Sequence, residues 1–332
     1  MSILKNISLT IAIPSYNSEK TIKKTLLSII NQDFNKEDVE IFISNNCSID
    51  DTDNLVKSII NENNRFNYQY VLNESNLGYD MNIEKLIKKS NGKFVWLLGD
   101  DDFLLPGSIS KVLSLINSPK YNLNYIYTNF HLPKNEKLSS RSVFSKYRKD
   151  IISQNKLLFF KKVKADNNFL STNIFKKEDV LNTSSFSYYE TAWMHYGIFL
   201  DLLANSNFNY CLFFEPLIVN NGRRPNNESS ANIGGKAIKI QMNLTEIIFN
   251  NSKLKNTFKK ILLKDLLTYM PSKINNSIRN GYIPTKDNIS FFNDHYKFSL
   301  FYLIFCLPLF YISKNFHNFL YNLVKGNKLF KN

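Results

Sequence analysis

Residues 7–31 read ISLTIAIPSYNSEKTIKKTLLSIIN. Ile7 to Ile13 is a short β-branched run that stops at Pro14-Ser15-Tyr16-Asn17. From Ser18 to Asn31 apolar side chains return at helical spacing, at Ile22, Leu26, Ile29 and Ile30. The order is strand, polar loop, helix, and it recurs. Val39–Ser44 (VEIFIS) leads through a polar loop at 45–53 to a helix carrying Leu55, Val56, Ile59 and Ile60. Phe66–Leu72 leads through the loop 73–78 to a helix with Ile83, Leu86 and Ile87. Lys93–Leu98 (KFVWLL) then ends at Gly99-Asp100-Asp101-Asp102. Continuous apolar strands alternating with amphipathic helices predict an α/β fold with a mainly parallel sheet covered on both faces. Ligands of such sheets bind beyond the carboxyl ends of the strands.

The four loops at those ends are therefore the candidate site. Pro14, Ser15, Tyr16 and Asn17 offer an aromatic face and amides. Asn45, Ser48 and Asp50 offer a row of hydrogen-bonding groups, and Asn76 with Gly78 makes a tight turn at a helix start. The last loop holds three adjacent carboxylates, Asp100, Asp101 and Asp102, which repel one another unless they share a cation. Hard carboxylate oxygens select Mg²⁺ or Mn²⁺. A divalent metal bridging a diphosphate explains the triplet economically. A solvated acidic turn ahead of Pro106 is the plainer alternative. No GxGxxG or GxxxxGK[ST] stands at any strand-to-helix turn, which argues against a dinucleotide oxidoreductase and a P-loop NTPase.

Composition sets the remaining bounds. The 332 residues are 43% hydrophobic and 14% aromatic with only ten Gly and nine Pro, enough apolar content for one large or two modest domains. Cys47, Cys211 and Cys306 are too widely spaced for a CxxC metal site or a disulfide framework. No secretory leader precedes the first strand, so a cytoplasmic location is expected. The net charge is +14, and residues 236–332 hold 15 Lys+Arg against 4 Asp+Glu. Within that region lies the most apolar run, 298–312 (FSLFYLIFCLPLFYI). It is shorter than the about 20 residues a spanning helix needs. Apolar area flanked by cations suits an anionic membrane surface, whereas a buried core helix on a basic protein is the alternative. No nucleic-acid-binding motif accompanies the charge.

The blocks IAIPSYNSEKTIKKTLLSI, IFISNNCSIDDT and LGYDMNIEKLIKKSNGKFVWLLGDDD, followed by Pro106-Gly107-Ser108, resemble the family 2 glycosyltransferases of the GT-A fold over about residues 7–118. The WLLGDDD ending is similar to that of bacterial enzymes assembling O-antigen and other surface polysaccharides, abequosyltransferase-like members included. The resemblance implies a GT-A domain over 1–235, with a nucleotide-sugar-binding half at 1–118 and an acceptor half at 119–235. Residues 236–332 would follow as a basic, largely helical, membrane-interfacial region. It implies a nucleoside diphosphate sugar donor and a lipid-linked or oligosaccharide acceptor, met on the inner face of the cell membrane. Pro14, Tyr16 and Asn17, with Glu19 nearby, would line the nucleoside pocket. Asn45 stands where the family commonly has Asp, and an amide donates as well as accepts, so uracil, cytosine and thymine all remain open. Ser48, Asp50 and Asn82 match further family positions, while Met81 replaces a frequent Arg.

Two registers of the triplet are possible. Counting back from Pro106 sets Gly99 and Asp101 in the family's DxD, whereas Asp100 and Asp102 fit DxD directly and are taken as the metal pair, with Asp101 close behind. An inverting transfer needs a carboxylate to deprotonate the acceptor hydroxyl. Glu190, ahead of an amphipathic helix through Ile198, Leu202 and Leu203, is the candidate, with Asp201 as runner-up. Trp193 and His195 would meet a sugar, and Arg223 and Arg224 a phosphate. A sugar-phosphate nucleotidyltransferase lacks support because PSYNSEK has no Gly-rich loop. A catalytically silent saccharide-binding or scaffold protein would need no intact triplet.

Overall fold

A computed structural model describes residues 7–134, 137–139, 149–163, 169–183, 185–187, 191–205, 207–221, 243–248, 252–279, 286–311 and 313–318. The chain divides into two compact units, Met1–Arg223 and Arg224–Asn332. The boundary expected at 235/236 lies outside the described residues.

In the first unit the predicted cycle is present. β1 (Leu9–Ser15) is followed by α1 (Ile22–Ile30), β2 (Val39–Asn45) by α2 (Thr52–Glu62), and β3 (Asn67–Leu72) by α3 (Tyr79–Lys89). β4 (Phe94–Leu97), the short β5 (Phe103–Leu104) and α4 (Ser108–Ile116) complete the first half. β1 pairs in parallel with both β2 and β4, and β2 with β3, so the strands run in the order β3-β2-β1-β4. β1, β2 and β4 lie at the centre, and each is buried almost throughout, as continuous apolar strands must be. β3 lies at the sheet edge and is only half-buried, which fits its more polar NYQYVL.

The second half extends the same sheet through β6 (Tyr125–Lys134), β9 (Asn173–Lys176) and β10 (Tyr210–Val219), with β7 (Lys137–Ser139) and β8 (Ile151–Ser153) at its margins. The stretch FLSTNIF at 169–175 reads as a strand from its aromatic and β-branched residues, but only part of it is extended. Leu170–Thr172 is a 3₁₀ turn, and only Asn173–Lys176 is extended. That strand inserts antiparallel between β4 and β6, so the sheet is mixed. α5 (Lys156–Val163), α6 (Lys177–Leu181) and α7 (Met194–Ala204) pack in this half. α7 departs from the amphipathic helix expected there. Every residue from Met194 to Leu200 is buried, the all-round burial of a central helix. Tyr125, Phe159, Phe199 and Phe208 form an aromatic cluster beside it, with ring centroids 5.0–6.5 Å apart.

The second unit contains α8 (Ser252–Arg279) and α9 (Lys286–Tyr296), followed by a π-helical turn at Tyr302–Cys306 and a 3₁₀ turn at Leu307–Phe310. The Tyr296 hydroxyl donates to the Leu263 carbonyl at 2.7 Å, and the Tyr302 hydroxyl to Asn293 Oδ1 at 2.8 Å. In the apolar run, Tyr302, Cys306 and Phe310 are buried at four-residue spacing. Phe298, Leu300, Phe301, Leu303, Ile304 and Phe305 are exposed, Phe298 at 91%. Among the described residues no helix is long and apolar enough to cross a membrane.

Candidate active site

The carboxyl ends of β1, β2 and β4 come together, and backbone-to-side-chain hydrogen bonds join their loops. β1 ends at Ser15. Asn17 turns the chain with φ 50°, a left-handed conformation that Asn tolerates better than most residues. The turn delivers its amides to the neighbouring loops. Tyr16 N–H donates to Asp100 Oδ2 (3.1 Å), Asn17 N–H to Ser48 Oγ (2.9 Å), Ser18 N–H to Thr52 Oγ1 (2.8 Å) and Glu19 N–H to Asp50 Oδ2 (3.1 Å). Two bonds return, from Ile49 N–H to Asn17 Oδ1 (3.0 Å) and from Asp51 N–H to Glu19 Oε2 (3.2 Å). Residues 17–19 are thus fastened to the 48–52 loop and Tyr16 to the triplet, and regular α1 begins only at Ile22. Their side chains leave Tyr16 47% exposed over the loop ends while Ser15 is buried.

Asn45 is fully buried, and both its polar side-chain atoms are hydrogen-bonded. Its Oδ1 accepts Ser48 N–H (2.9 Å) and its Nδ2 donates to the Tyr70 hydroxyl (3.1 Å), which in turn donates to Asp53 (2.5 Å). The Asp50 carboxylate accepts the Thr52 hydroxyl (2.5 Å) and amide (3.1 Å). These bonds lower its pKa against the opposing effect of burial, so it is anionic at neutral pH. The neighbouring Asn46 is a hub that the sequence did not single out. Its Nδ2 reaches Asn76 Oδ1 (2.8 Å) and the Gly78 carbonyl (3.3 Å), and its Oδ1 accepts Asn73 Nδ2 (2.9 Å) and Leu77 N–H (3.0 Å). Gly78, at φ 78°, can sit at the start of α3 where a side chain would be strained. Asn82 ties α3 to β2, accepting the Ser44 hydroxyl (2.6 Å) and donating to the Ser44 carbonyl (3.2 Å).

The triplet is held from both sides. Thr25 on α1 donates to the carbonyls of Asp100 (3.0 Å) and Asp102 (2.7 Å). Asp102 is 2% exposed. Its Oδ2 accepts the Ser171 hydroxyl (2.5 Å) and its Oδ1 the Asn221 amide (3.2 Å). Burial and the Asp101 charge raise its carboxyl to about 7, against the lowering effect of those two bonds. The Asp101 and Asp102 carboxylates converge over Gly99: a Cβ there would stand 2.9 Å from Asp102 Oδ2 and 3.1 Å from Asp101 Oδ1. A side chain at position 99 would push them apart, which accounts for glycine where the alternative register sets an acid. Ser171, which also accepts Gly99 N–H at 2.9 Å, carried no sequence signal. Among the described residues no group of three or more His, Cys, Asp or Glu side chains is arranged to hold a metal ion.

On the acceptor side, Trp193 stacks on His195 with ring centroids 5.8 Å apart and 24° between planes. His195 Nδ1 lies 3.1 Å from the Tyr79 hydroxyl in a 4% exposed position. Trp193 is half-buried at the start of α7, and Asp201 lies well inside that helix. Glu190, Arg223 and Arg224 lie outside the described residues.

Comparison with known proteins agrees with this architecture. The glycosyl transferase family 2 model matches residues 10–177, from β1 through β9 and the start of α6. The abequosyltransferase of Salmonella typhimurium is 25% identical over 273 residues, 77% of this chain and 80% of the relative. The GalNAc(5)-diNAcBac-PP-undecaprenol beta-1,3-glucosyltransferase of Campylobacter jejuni is 34% identical over 110 residues, 33% of this chain and 34% of that protein. Among solved structures, Staphylococcus aureus TarS 1–349 in complex with UDP-GlcNAc superposes with a TM-score of 0.64 at 16% identity, covering 97% of this chain and 93% of that one. Polar loops cross-linked at the carboxyl ends of parallel strands, an acidic triplet after β4 and a family match over half the chain lead to one assignment. The chain belongs to glycosyl transferase family 2 and is a GT-A glycosyltransferase.

Proposed function

We propose that the protein moves a sugar from a nucleoside diphosphate sugar to a lipid-linked or growing saccharide during bacterial surface polysaccharide synthesis. The observation that carries this reading is the joining of the 14–19, 45–52 and 100–102 loops, which sets an exposed aromatic ring and three carboxylates at one end of the sheet. The names of the relatives support the acceptor class: an abequosyltransferase and an undecaprenol-linked glucosyltransferase.

The donor's base would lie against Tyr16 with Pro14, Asn17 and the 45–50 loop around it. The diphosphate would lie beside the triplet. Mg²⁺ or Mn²⁺, held through Asp100 and Asp102 with Asp101 close by, would neutralise the leaving diphosphate. The donor set fits such an ion. Carboxylates that crowd over Gly99 repel one another without a cation, and Mg²⁺ is commonly bound by one or two carboxylates plus substrate phosphates and water. A site of this kind does not need three protein ligands. A mannosyltransferase from Pyrobaculum calidifontis with a TM-score of 0.55 and 12% identity was solved with GDP-Man and Mn²⁺. Glu190 is the proposed base for an inverting attack, with Trp193 against the acceptor sugar and Arg223 and Arg224 near phosphate.

The exposed apolar side chains at 298–305, flanked by Lys297 and Lys314 in a strongly basic region, suit peripheral attachment to the inner face of the cell membrane.

Incubation with UDP-, CDP-, GDP- and dTDP-sugars, Mn²⁺ and a membrane extract of lipid-linked saccharides tests the reading. Release of nucleoside diphosphate that depends on the extract is expected, and it should vanish in Asp102→Ala and Glu190→Gln. Release of pyrophosphate from a sugar 1-phosphate and NTP would instead indicate nucleotidyl transfer.

A further inference from the structure

Asp80 has no role in the site as described so far, yet its bonding is unlike that of an ordinary acid in the first turn of a helix. Such an acid is stabilised by its own helix's N-terminus. Here the carboxylate, 4% exposed, accepts from a segment more than 110 residues further along the chain. Oδ2 takes the amides of Thr191 and Ala192, both at 2.8 Å, and Oδ1 takes the amide of Met194 at 3.0 Å. The Thr191 hydroxyl lies 3.4 Å from Oδ2.

Those three amides stand at the entry of α7. A helix leaves its first N–H groups without partners inside the helix, and a side chain at the N-cap normally meets one of them. The N-cap residue here is Trp193, whose side chain makes no capping bond. Asp80, on another helix, meets the Met194 amide that opens α7 and also holds the two amides just before the N-cap. Ala192 is held at φ 57°, which a residue with a Cβ seldom adopts unless its surroundings fix it, and the bond from its amide to Asp80 is such a constraint. A second link runs alongside, from the Tyr79 hydroxyl to His195, on which Trp193 stacks.

The same turn of α3 is fastened on its other side to the donor loops. Gly78 accepts Asn46 Nδ2, and Asn82 is bonded twice to Ser44 at the end of β2. One helical turn therefore carries both the nucleotide loops and the 191–195 segment.

We propose that Asp80 is a positioning residue for sugar transfer: by holding the amides of Thr191, Ala192 and Met194 it sets the α7 entry, with Trp193, relative to the donor loops. It touches no substrate. The inference rests on the reading that the acceptor side lies at 190–195.

Asp80→Asn keeps the shape but can offer one acceptor oxygen only, so at least one of the three amides faces an NH₂ group. In hydrogen exchange of the full chain, the amides of Thr191, Ala192 and Met194 are expected to be protected in the wild type and to exchange at least about tenfold faster in Asp80→Asn, with β1, β2 and β4 unchanged. Calorimetry with UDP, CDP, GDP and dTDP should give nucleotide affinities within twofold of wild type. The turnover number for transfer should fall about 10- to 100-fold. A turnover number within twofold of wild type overturns the proposal, as does a fall in nucleotide affinity that matches the loss of turnover, since Asp80 would then support the donor site only. Glu190→Gln separates the two claims. If it transfers at the wild-type rate, the base reading fails, while a loss in Asp80→Asn still assigns positioning to the α7 entry.

Discussion

Replacing Asp102 by Asn should stabilise the fold at neutral pH and leave it close to wild type in acid, even as it removes transfer. The side chain is 2% exposed and its carboxyl sits at about 7, against 3.8 for an unperturbed aspartate. Between these values the unfolded chain gives up a proton that the native chain keeps. Native stability therefore falls as pH rises from 3.8 and levels off above about 7. The full difference corresponds to about 4 kcal/mol, of which about 2–3 kcal/mol develops between pH 5 and pH 8. Asn stays neutral throughout. Its Oδ1 can still accept the Asn221 amide, and its Nδ2 can donate to Ser171 Oγ. The advantage of Asp102→Asn over wild type should then grow from pH 5 to pH 8 by about 4–10 °C in melting temperature for a unit of this size. The assay is differential scanning calorimetry in chelator at both pH values. Adding Mn²⁺ at pH 8 should raise the wild type alone, because the cation removes the repulsion that the variant lacks. A shift of the same size at both pH values, or a greater advantage at pH 5, would refute the reasoning.

Asn46→Ala removes four hydrogen bonds and leaves Asn73 and the Leu77 amide without that partner. A loss of about 2–4 kcal/mol by denaturant titration is expected. Asn45→Asp restores the acid common in the family but gives the Tyr70 hydroxyl, which already donates to Asp53, a second acceptor it cannot serve. It should destabilise by about 1–3 kcal/mol in the same titration. Phe298→Glu with Ile304→Glu leaves the buried Tyr302, Cys306 and Phe310 untouched and should lower binding to phosphatidylserine vesicles at least about tenfold in sedimentation. Binding equal to wild type would remove this face from any membrane contact.

What the sequence made legible was what local pattern controls. Apolar runs identified β1, β2 and β4, helical spacing identified α1 to α3, and turn chemistry at Asn17 and Gly78 marked the loop ends. The errors came where distant contacts decide. Residues 17–19 spend their amides on Ser48, Thr52 and Asp50, which no reading of residues 16–21 alone reveals. Leu170–Thr172 turns where a strand was expected, with Ser171 bound to Gly99 and Asp102 about 70 positions earlier. α7 looked one-sided from Ile198, Leu202 and Leu203, whereas its His195, Tyr196 and Gly197 are buried as well. Asp80 is placed as an ordinary helix-start acid would be, and only the fold brings Thr191 to it. Asn45 was expected to face the base. Its two polar atoms also hold Ser48 and Tyr70, contacts that only the fold reveals.

A crystal structure with bound nucleoside diphosphate sugar and Mn²⁺ tests the central claim most directly. The account predicts the base beside Tyr16 and the 45–50 loop, with the diphosphate and the ion at Asp100–Asp102. A nucleotide found elsewhere, such as the cleft lined by Lys24, Gln32, Phe103 and Pro106, with the triplet free of metal, would contradict it.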